Sequence, residues 1–182
     1  ASWDNAQPMF RPTPGGGSVV LGHNGNLVNT QELKRYATGI GIRGYTEHST
    51  HSDSDIVSTL LAPEAGDGGL EEAAARLLPR LRGAYCLTFS DENTLYAARD
   101  PHGVRPLALG RLERGWVVSS ETSALDIVGA SFVRDVEPGE LIAIDADGVR
   151  SRRFAEPTPK ACVFEYVYLA RPDSVINQRS VN

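Results

Sequence analysis

SVVLGHNGNLVN, residues 18–29, is the stretch on which the fold is decided. Ser18 to Gly22 carries no charge and is apolar through Val19, Val20 and Leu21, so it reads as a short buried strand. His23-Asn24-Gly25-Asn26 follows, and an Asn-Gly pair is a strong signal for a tight turn with positive φ. Asn29 then stands where a helix cap belongs, with Glu32 placed to complete a capping box and Leu33 and Tyr36 available for the buried face. The predicted order is strand, tight turn, helix.

On the N-terminal side, Arg11 to Gly17 holds too much proline and glycine for a helix or a central strand and is predicted as a loop. On the other side, Gly39 to His51 is polar and punctuated by glycine, again a loop. Ser52 caps the next helix, with Asp55 three residues on, and Ile56, Val57, Leu60 and Leu61 supply its apolar face until Pro63 to Gly69 ends it. A third helix runs from about Leu70 through Ala74, Leu77, Leu78 and Leu81, with Pro79 bending or shortening its last turn.

After Gly83 the period changes to short β-type runs at residues 84–89, 94–98, 106–110 and 115–120, which predict an antiparallel meander. A short helix is expected over Ser123 to Val128, then strands over Glu140 to Ile144 and Val149 to Arg153 about the turn Asp145 to Gly148. From Cys162 the chain reads as an aromatic-rich strand that breaks at Arg171-Pro172. Helices gathered in the first half and strands in the second point to an α+β or layered sandwich rather than a parallel βαβ sheet.

At 182 residues the chain is the size of one good domain, and no stretch approaches the roughly 20 apolar residues of a membrane span. A net charge of -5, with arginines scattered among acids, gives no basic face for nucleic acid. Cys86 and Cys162 lie far apart without a CxxC partner, which suits a reducing, cytoplasmic setting. The first residues have neither the basic start nor the apolar core of a secretory signal and no initiator methionine, so the sequence is expected to be cut from a longer chain.

Several groups could carry chemistry. The turn reading of Asn24-Gly25 is sufficient by itself, yet a side-chain amide beside a free backbone N–H also makes a donor pair suited to an acyl-transfer oxyanion. Asp53 and Asp55 suit the first turn of a helix, where acids complement the dipole; as a site, Asp53 could grip a substrate ammonium while Asp55 serves the capping box. RDPHGVRPL, residues 99–107, reads as a charged turn between strands in which Arg99 and Asp100 could pair. His23, His48, His51 and His102 lack metal-ligand spacing, and neither GxSxG nor GxxxxGK occurs. Cys86, within a predicted buried strand, reads as an inert core thiol.

Taken together and in order, GHNGNLVN, HSDSD, RGAYCL, RDPHGVRPL, SSETSALD, RDVEPGEL and CVFEYVYLARPDS resemble the glutaminase domain of the amidophosphoribosyltransferase family. The first four are also similar to class II glutamine amidotransferases at large, and the last singles out the purine-pathway branch. The resemblance implies an N-terminal nucleophile hydrolase type four-layer sandwich, two antiparallel sheets between helical layers, here incomplete. It implies a partial glutaminase domain over residues 1–160 and, over 161–182, a junction to a phosphoribosyltransferase domain.

By the same resemblance, an N-terminal cysteine attacks the glutamine side-chain amide, Asn24 and Gly25 are the catalytic oxyanion donors, and Asp53 binds the glutamine α-ammonium. The ammonia then passes to phosphoribosyl pyrophosphate, giving 5-phosphoribosylamine, in an enzyme that is usually a homo-oligomer and whose full-length form is expected to use magnesium (Mg). Cys162 matches the position that, in some family members, ligates an iron-sulfur (4Fe-4S) cluster with three cysteines of the transferase domain.

The sequence departs from the pattern in three places. It opens on Ala1 rather than cysteine, and WDNAQP, residues 3–8, resembles a segment downstream of both the nucleophile and a carboxylate-binding arginine, so this segment alone is expected to be inactive. The transferase domain and its phosphoribosyl pyrophosphate loop are absent. GYTEHSTH, residues 44–51, does not match the family's usual approach to the Ser52-Asp53 helix. The competing readings are a non-catalytic module that binds glutamine or a partner, and another class II amidotransferase.

Overall fold

The computed structural model describes residues 6–43, 52–65, 69–177 and 179–181. Of the predicted loop Gly39 to His51, residues 44–51, with the GYTEHSTH run, lie outside them. A six-stranded antiparallel sheet forms the centre, in the order β1 (Met9–Pro12), β2 (Ser18–Leu27), β3 (Gly83–Ser90), β4 (Leu95–Arg99), β8 (Glu140–Asp145), β9 (Gly148–Arg153). A second, three-stranded sheet is ordered β6 (Gly115–Ser119), β5 (Ala108–Leu112), β7 (Ser131–Asp135).

Three hydrophobic clusters stack these elements into four layers. Helices α1 (Thr30–Gly39), α2 (Asp53–Glu64) and α3 (Gly69–Leu77) pack on one face of the large sheet through Leu33, Ile56, Leu60, Ala74, Leu21 and Leu87. Its other face meets the small sheet through Cys86, Ala97, Ile142, Leu107 and Leu109. The small sheet's far face is covered by α4 (Thr122–Ile127), with Ala108 against Leu125 and Ala130. The order helix, sheet, sheet, helix is the α+β sandwich expected from the resemblance. Each fully buried Leu or Ile in these layers contributes about 1.5–3 kcal/mol.

The helices follow their local signals. Ser52 Oγ accepts the Asp55 amide at 3.1 Å, and the four predicted apolar residues of α2 are all buried. α3 gives way at Leu78 to a 3-10 turn carrying Pro79 at its start, where the missing proline amide forbids another α-helical bond. Asn29 does flank α1, but its side chain makes no cap bond; it bridges Arg80 O at 2.9 Å and the Arg82 amide at 3.0 Å, tying α1 to the start of β3.

Four expectations are corrected. The Asn24-Gly25 pair is not a turn: β2 runs unbroken to Leu27, and β3 pairs with it from Val20↔Ser90 to Leu27↔Gly83. Gly25 has φ +141°, and a Cβ there would lie 2.0 Å from Ala84 O; Gly83 has φ +145°, with a Cβ 2.2 Å from Asn26 O. Both glycines serve close approach of two backbones within a ladder. Arg11 and Pro12 belong to β1 and pair with Val19 and Ser18, proline being tolerated on an edge strand.

The meander breaks after β4, which pairs with β8 rather than β5, leaving β5 and β6 to join β7 in the second sheet. β7 was not foreseen, because SFVRD shows no clean alternation. The tail after Cys162 forms a π-helical turn, Glu165–Leu169, in place of a strand, with Glu165 buried on the Arg105 guanidinium. Two short paired strands, β10 (Val175–Ile176) and β11 (Arg179–Ser180), follow. Among the described residues no helix is long and apolar enough to cross a membrane.

Candidate functional site

β1 covers β2 only from Ser18 to Leu21, whereas β3 covers it from Val20 to Leu27. Residues 22–27 therefore keep one edge turned away from β3. Odd-numbered amides point to that edge: His23 N donates to Gln7 Oε1 at 2.5 Å and Leu27 N to Asp53 Oδ2 at 3.1 Å. Val28 N, of the other parity, donates to Arg82 O at 2.8 Å. Gly25 lies between the two odd residues. Tyr85, its partner in register, directs its own amide and carbonyl to Asp100, so the pair exchanges no ladder bonds and the Gly25 amide faces the open edge.

Side chains meet this edge from both faces of the sheet. On the helical side the His23 ring is buried, its Nδ1 lying 3.5 Å from Asp53 Oδ1 and 3.3 Å from Ser54 Oγ, while Nε2 has no hydrogen-bond partner among the described residues. Gln7 Nε2 donates to Ser54 Oγ at 3.3 Å. On the side of the second sheet Asn24 Nδ2 donates to Ser120 Oγ at 3.0 Å, and its Oδ1 accepts from Arg105 Nη2 at 2.8 Å.

Asp53 is the open carboxylate of this group. Its Oδ1 accepts the Ser54 amide at 2.9 Å and its Oδ2 the Leu27 amide, yet 19% of the side chain stays exposed. Burial pushes its carboxyl up; the bond and charge of His23 and the two backbone amides outweigh that and hold it below the usual aspartate value. It is a fixed anion with an accessible face, able to receive an ammonium. Asp55 is occupied, as the sequence suggests, but by the Arg11 guanidinium reaching across from β1 as well as by its helix-start position.

Asn24, Gly25 and Asp53 thus stand on one strand edge and the helix beside it. An outward backbone N–H next to a side-chain NH2 is a donor pair for an oxygen that gains negative charge. Sequence reasoning missed Arg105, Ser120, His23 and Gln7 as supports of this edge. Arg105 lies in RDPHGVRPL and Ser120 in SSETSALD, but nothing local tells that a residue 81 positions away holds the Asn24 amide.

The remaining candidates lie apart. Arg99 and Asp100 do not pair: the fully buried guanidinium donates to the carbonyls of Arg105, Val136 and Gly103 and to Asn177 Oδ1 at 2.8–3.1 Å. Asp100 instead accepts the amides of Tyr85, His102 and Gly103. Cys86 is buried between the sheets, where desolvation pushes its thiol up to about 12, as befits an inert core residue. Cys162 is half-buried before the π-helical turn, and no group of three or more His, Cys, Asp or Glu gathers to hold a metal among the described residues. A cleft of about 470 Å³ between Arg99, His102, Pro138, Lys160 and Arg179 contains none of the three candidate residues.

Comparison with known proteins places the chain in a family. A family model described as a glutamine amidotransferase domain matches residues 2–127. The amidophosphoribosyltransferases of Mycobacterium leprae and Mycobacterium tuberculosis are 67% and 68% identical over all 182 residues. This chain covers 33% and 34% of them, so it spans about a third of the length of the curated relatives it matches. A solved structure, the glutamine phosphoribosylpyrophosphate amidotransferase of Bacillus subtilis complexed with ADP and GMP, superposes with a TM-score of 0.89 at 37% identity, over 99% of this chain and 39% of that one. The chain belongs to the glutamine amidotransferase domain family.

Proposed function

We propose that this chain supplies the glutamine pocket and the oxyanion donors of an amidophosphoribosyltransferase. That enzyme hydrolyses glutamine and transfers the ammonia to phosphoribosyl pyrophosphate, giving 5-phosphoribosylamine in the first step of purine synthesis. The observation that carries the reading is the open edge of β2, where the outward Gly25 amide stands between two amides already held by Gln7 and Asp53. In this reading Asp53 receives the substrate α-ammonium, and the Gly25 amide and the Asn24 side-chain amide hold the oxygen of the tetrahedral adduct.

The nucleophile is a thiol with a neighbouring amine, and neither cysteine here serves: Cys86 is buried and Cys162 sits beyond the sandwich. The attacking group is therefore a residue that this sequence does not contain. Residues 161–182 act as the junction to a phosphoribosyltransferase domain. Val163, Phe164, Val167, Tyr168 and Leu169 support that reading, because they leave an apolar face in solvent that a neighbouring domain would cover. A four-iron cluster needs four thiolates and this chain offers one at the junction, so the residues present do not by themselves make such a site.

The test is Asp53→Ala in the full-length protein that carries this sequence. Glutamine-dependent turnover is expected to be abolished while ammonia-dependent turnover stays largely intact. Equal loss of both would overturn the role of Asp53.

A further inference from the structure

An asparagine amide works as an oxyanion donor only if its nitrogen, not its oxygen, faces the reacting group. Arg105 decides this orientation. A guanidinium carries donors alone, so the atom of Asn24 that meets Arg105 Nη2 at 2.8 Å has to be the oxygen. The NH2 group is thereby turned to the opposite side, where one hydrogen goes to Ser120 Oγ at 3.0 Å and the second remains for a ligand.

Arg105 is itself held from two directions. Its carbonyl accepts from Arg99 Nε at 2.8 Å, which anchors the backbone on the buried Arg99 hub. Its Nη1 donates to Glu165 Oε1, in an ion pair whose side chains are 18% and 5% exposed. Glu165 opens the π-helical turn of the C-terminal segment, 60 residues further along the chain. A continuous path of charge-assisted bonds therefore runs from that segment to the β2 edge.

We propose that Arg105 is a positioning residue for the Asn24 amide and that Glu165 holds it in place, so that the C-terminal segment sets the orientation of an oxyanion donor. The inference rests on the reading of Asn24 given under Proposed function. Releasing Arg105 lets the amide turn over and presents a carbonyl oxygen where a donor is needed, which removes the donor and adds a repulsion.

The experiment is a double-mutant cycle on glutamine hydrolysis by the full-length protein. Asn24→Ala is expected to lower kcat about 10²- to 10³-fold, the usual effect of losing one oxyanion donor. Arg105→Met is expected to lower kcat roughly 10- to 100-fold with the glutamine KM changed less than about threefold, because Asp53 is untouched. In the Asn24→Ala background, Arg105→Met should cost nothing more, since it acts only through the missing amide. Glu165→Gln keeps the shape of the side chain and is expected to lower kcat about 3- to 10-fold without moving KM; it carries the test if Arg105→Met does not fold. Multiplicative losses in the double variant, or wild-type kcat in both Arg105→Met and Glu165→Gln, would overturn the positioning role while leaving the glutaminase reading intact. A wild-type protein that does not hydrolyse glutamine would overturn that reading, and this inference with it.

Discussion

Asp53 and Asp100 are bonded in nearly the same way and do opposite things. Each accepts backbone amides at a strand end: Asp53 those of Leu27 and Ser54, Asp100 those of Tyr85, His102 and Gly103. Asp100 is fully buried, and its neighbour Arg99 is also fully buried on carbonyl and amide oxygens, so this corner is closed upon its own backbone. Asp53 keeps part of its carboxylate in solvent and faces a histidine across 3.5 Å. A carboxylate surrounded only by backbone donors is a structural fastener. One with the same donors and an open side is ready for a ligand.

That difference sets the expected cost of removing each. Asp100→Ala leaves the Tyr85 and His102 amides without an acceptor, whereas Gly103 N retains the Asp100 carbonyl at 3.0 Å. A loss of about 2–4 kcal/mol is expected, at the usual cost of roughly 1–3 kcal/mol for each orphaned buried donor. Asp53→Asn keeps an oxygen that can accept one amide and should cost about 1 kcal/mol or less. Urea midpoints of the two variants measure this directly. Equal losses would mean that Asp53 is a fastener too, and the open-site reading of α2's first turn would fall.

Acid titration separates the same pair. The His23 bond and charge and the backbone amides hold Asp53 below 3.8 against the upward push of burial, while burial raises Asp100 above that value despite its three amides. The stability contributed by Asp53 is present in full above its unfolded value and is lost as pH falls through its lower folded value. The contribution of Asp100 has the opposite sign: it is present below 3.8 and lost as pH rises through the higher folded value. Carboxyl NMR titrations should place the two midpoints on either side of 3.8. Asp53→Asn should flatten the acid-side fall in stability and Asp100→Asn steepen it; two midpoints on the same side would remove the distinction.

The two regions also differ in how much of them the sequence reveals. The first turn of α2 is legible because its causes are local: Ser52 reaches an amide three residues on, and Ile56, Val57, Leu60 and Leu61 repeat at helical spacing. The stretch around Asn24 is not, because an Asn-Gly pair makes a turn or a strand according to whether another strand lies alongside. Here β3, some 60 residues later, pairs with every residue from Val20 to Leu27 and forces the extended form. The same holds for the four layers. Periodicity shows that β5 and β6 are strands, but their place in a second sheet depends on a partner far along the chain, since β8 and not β5 holds the edge of β4. The residues of the site were legible through family motifs; the bonds that orient them, from Arg105, Ser120 and Gln7, join distant segments and leave no local mark.

The cysteines extend the contrast from acids to thiols with a smaller expected effect. Cys86 lies opposite Asn24 in register, yet it faces the inter-sheet core and donates to the carbonyls of Arg105 and Pro106 at 3.4 and 3.5 Å. With its thiol pushed up to about 12 by burial, it holds almost no thiolate near neutrality. Cys162 is half-buried at the start of the C-terminal segment and belongs to none of the three hydrophobic clusters. Brief treatment of the native protein with iodoacetamide at neutral pH, followed by peptide mass analysis, should therefore leave Cys86 untouched until denaturant is added, when it labels as readily as Cys162. Labelling of Cys86 at a comparable rate in the native protein would mean that the sheets part readily beside Asn24, and the closed corner around Arg99 and Asp100 would no longer count as a rigid support for the edge that carries the proposed site.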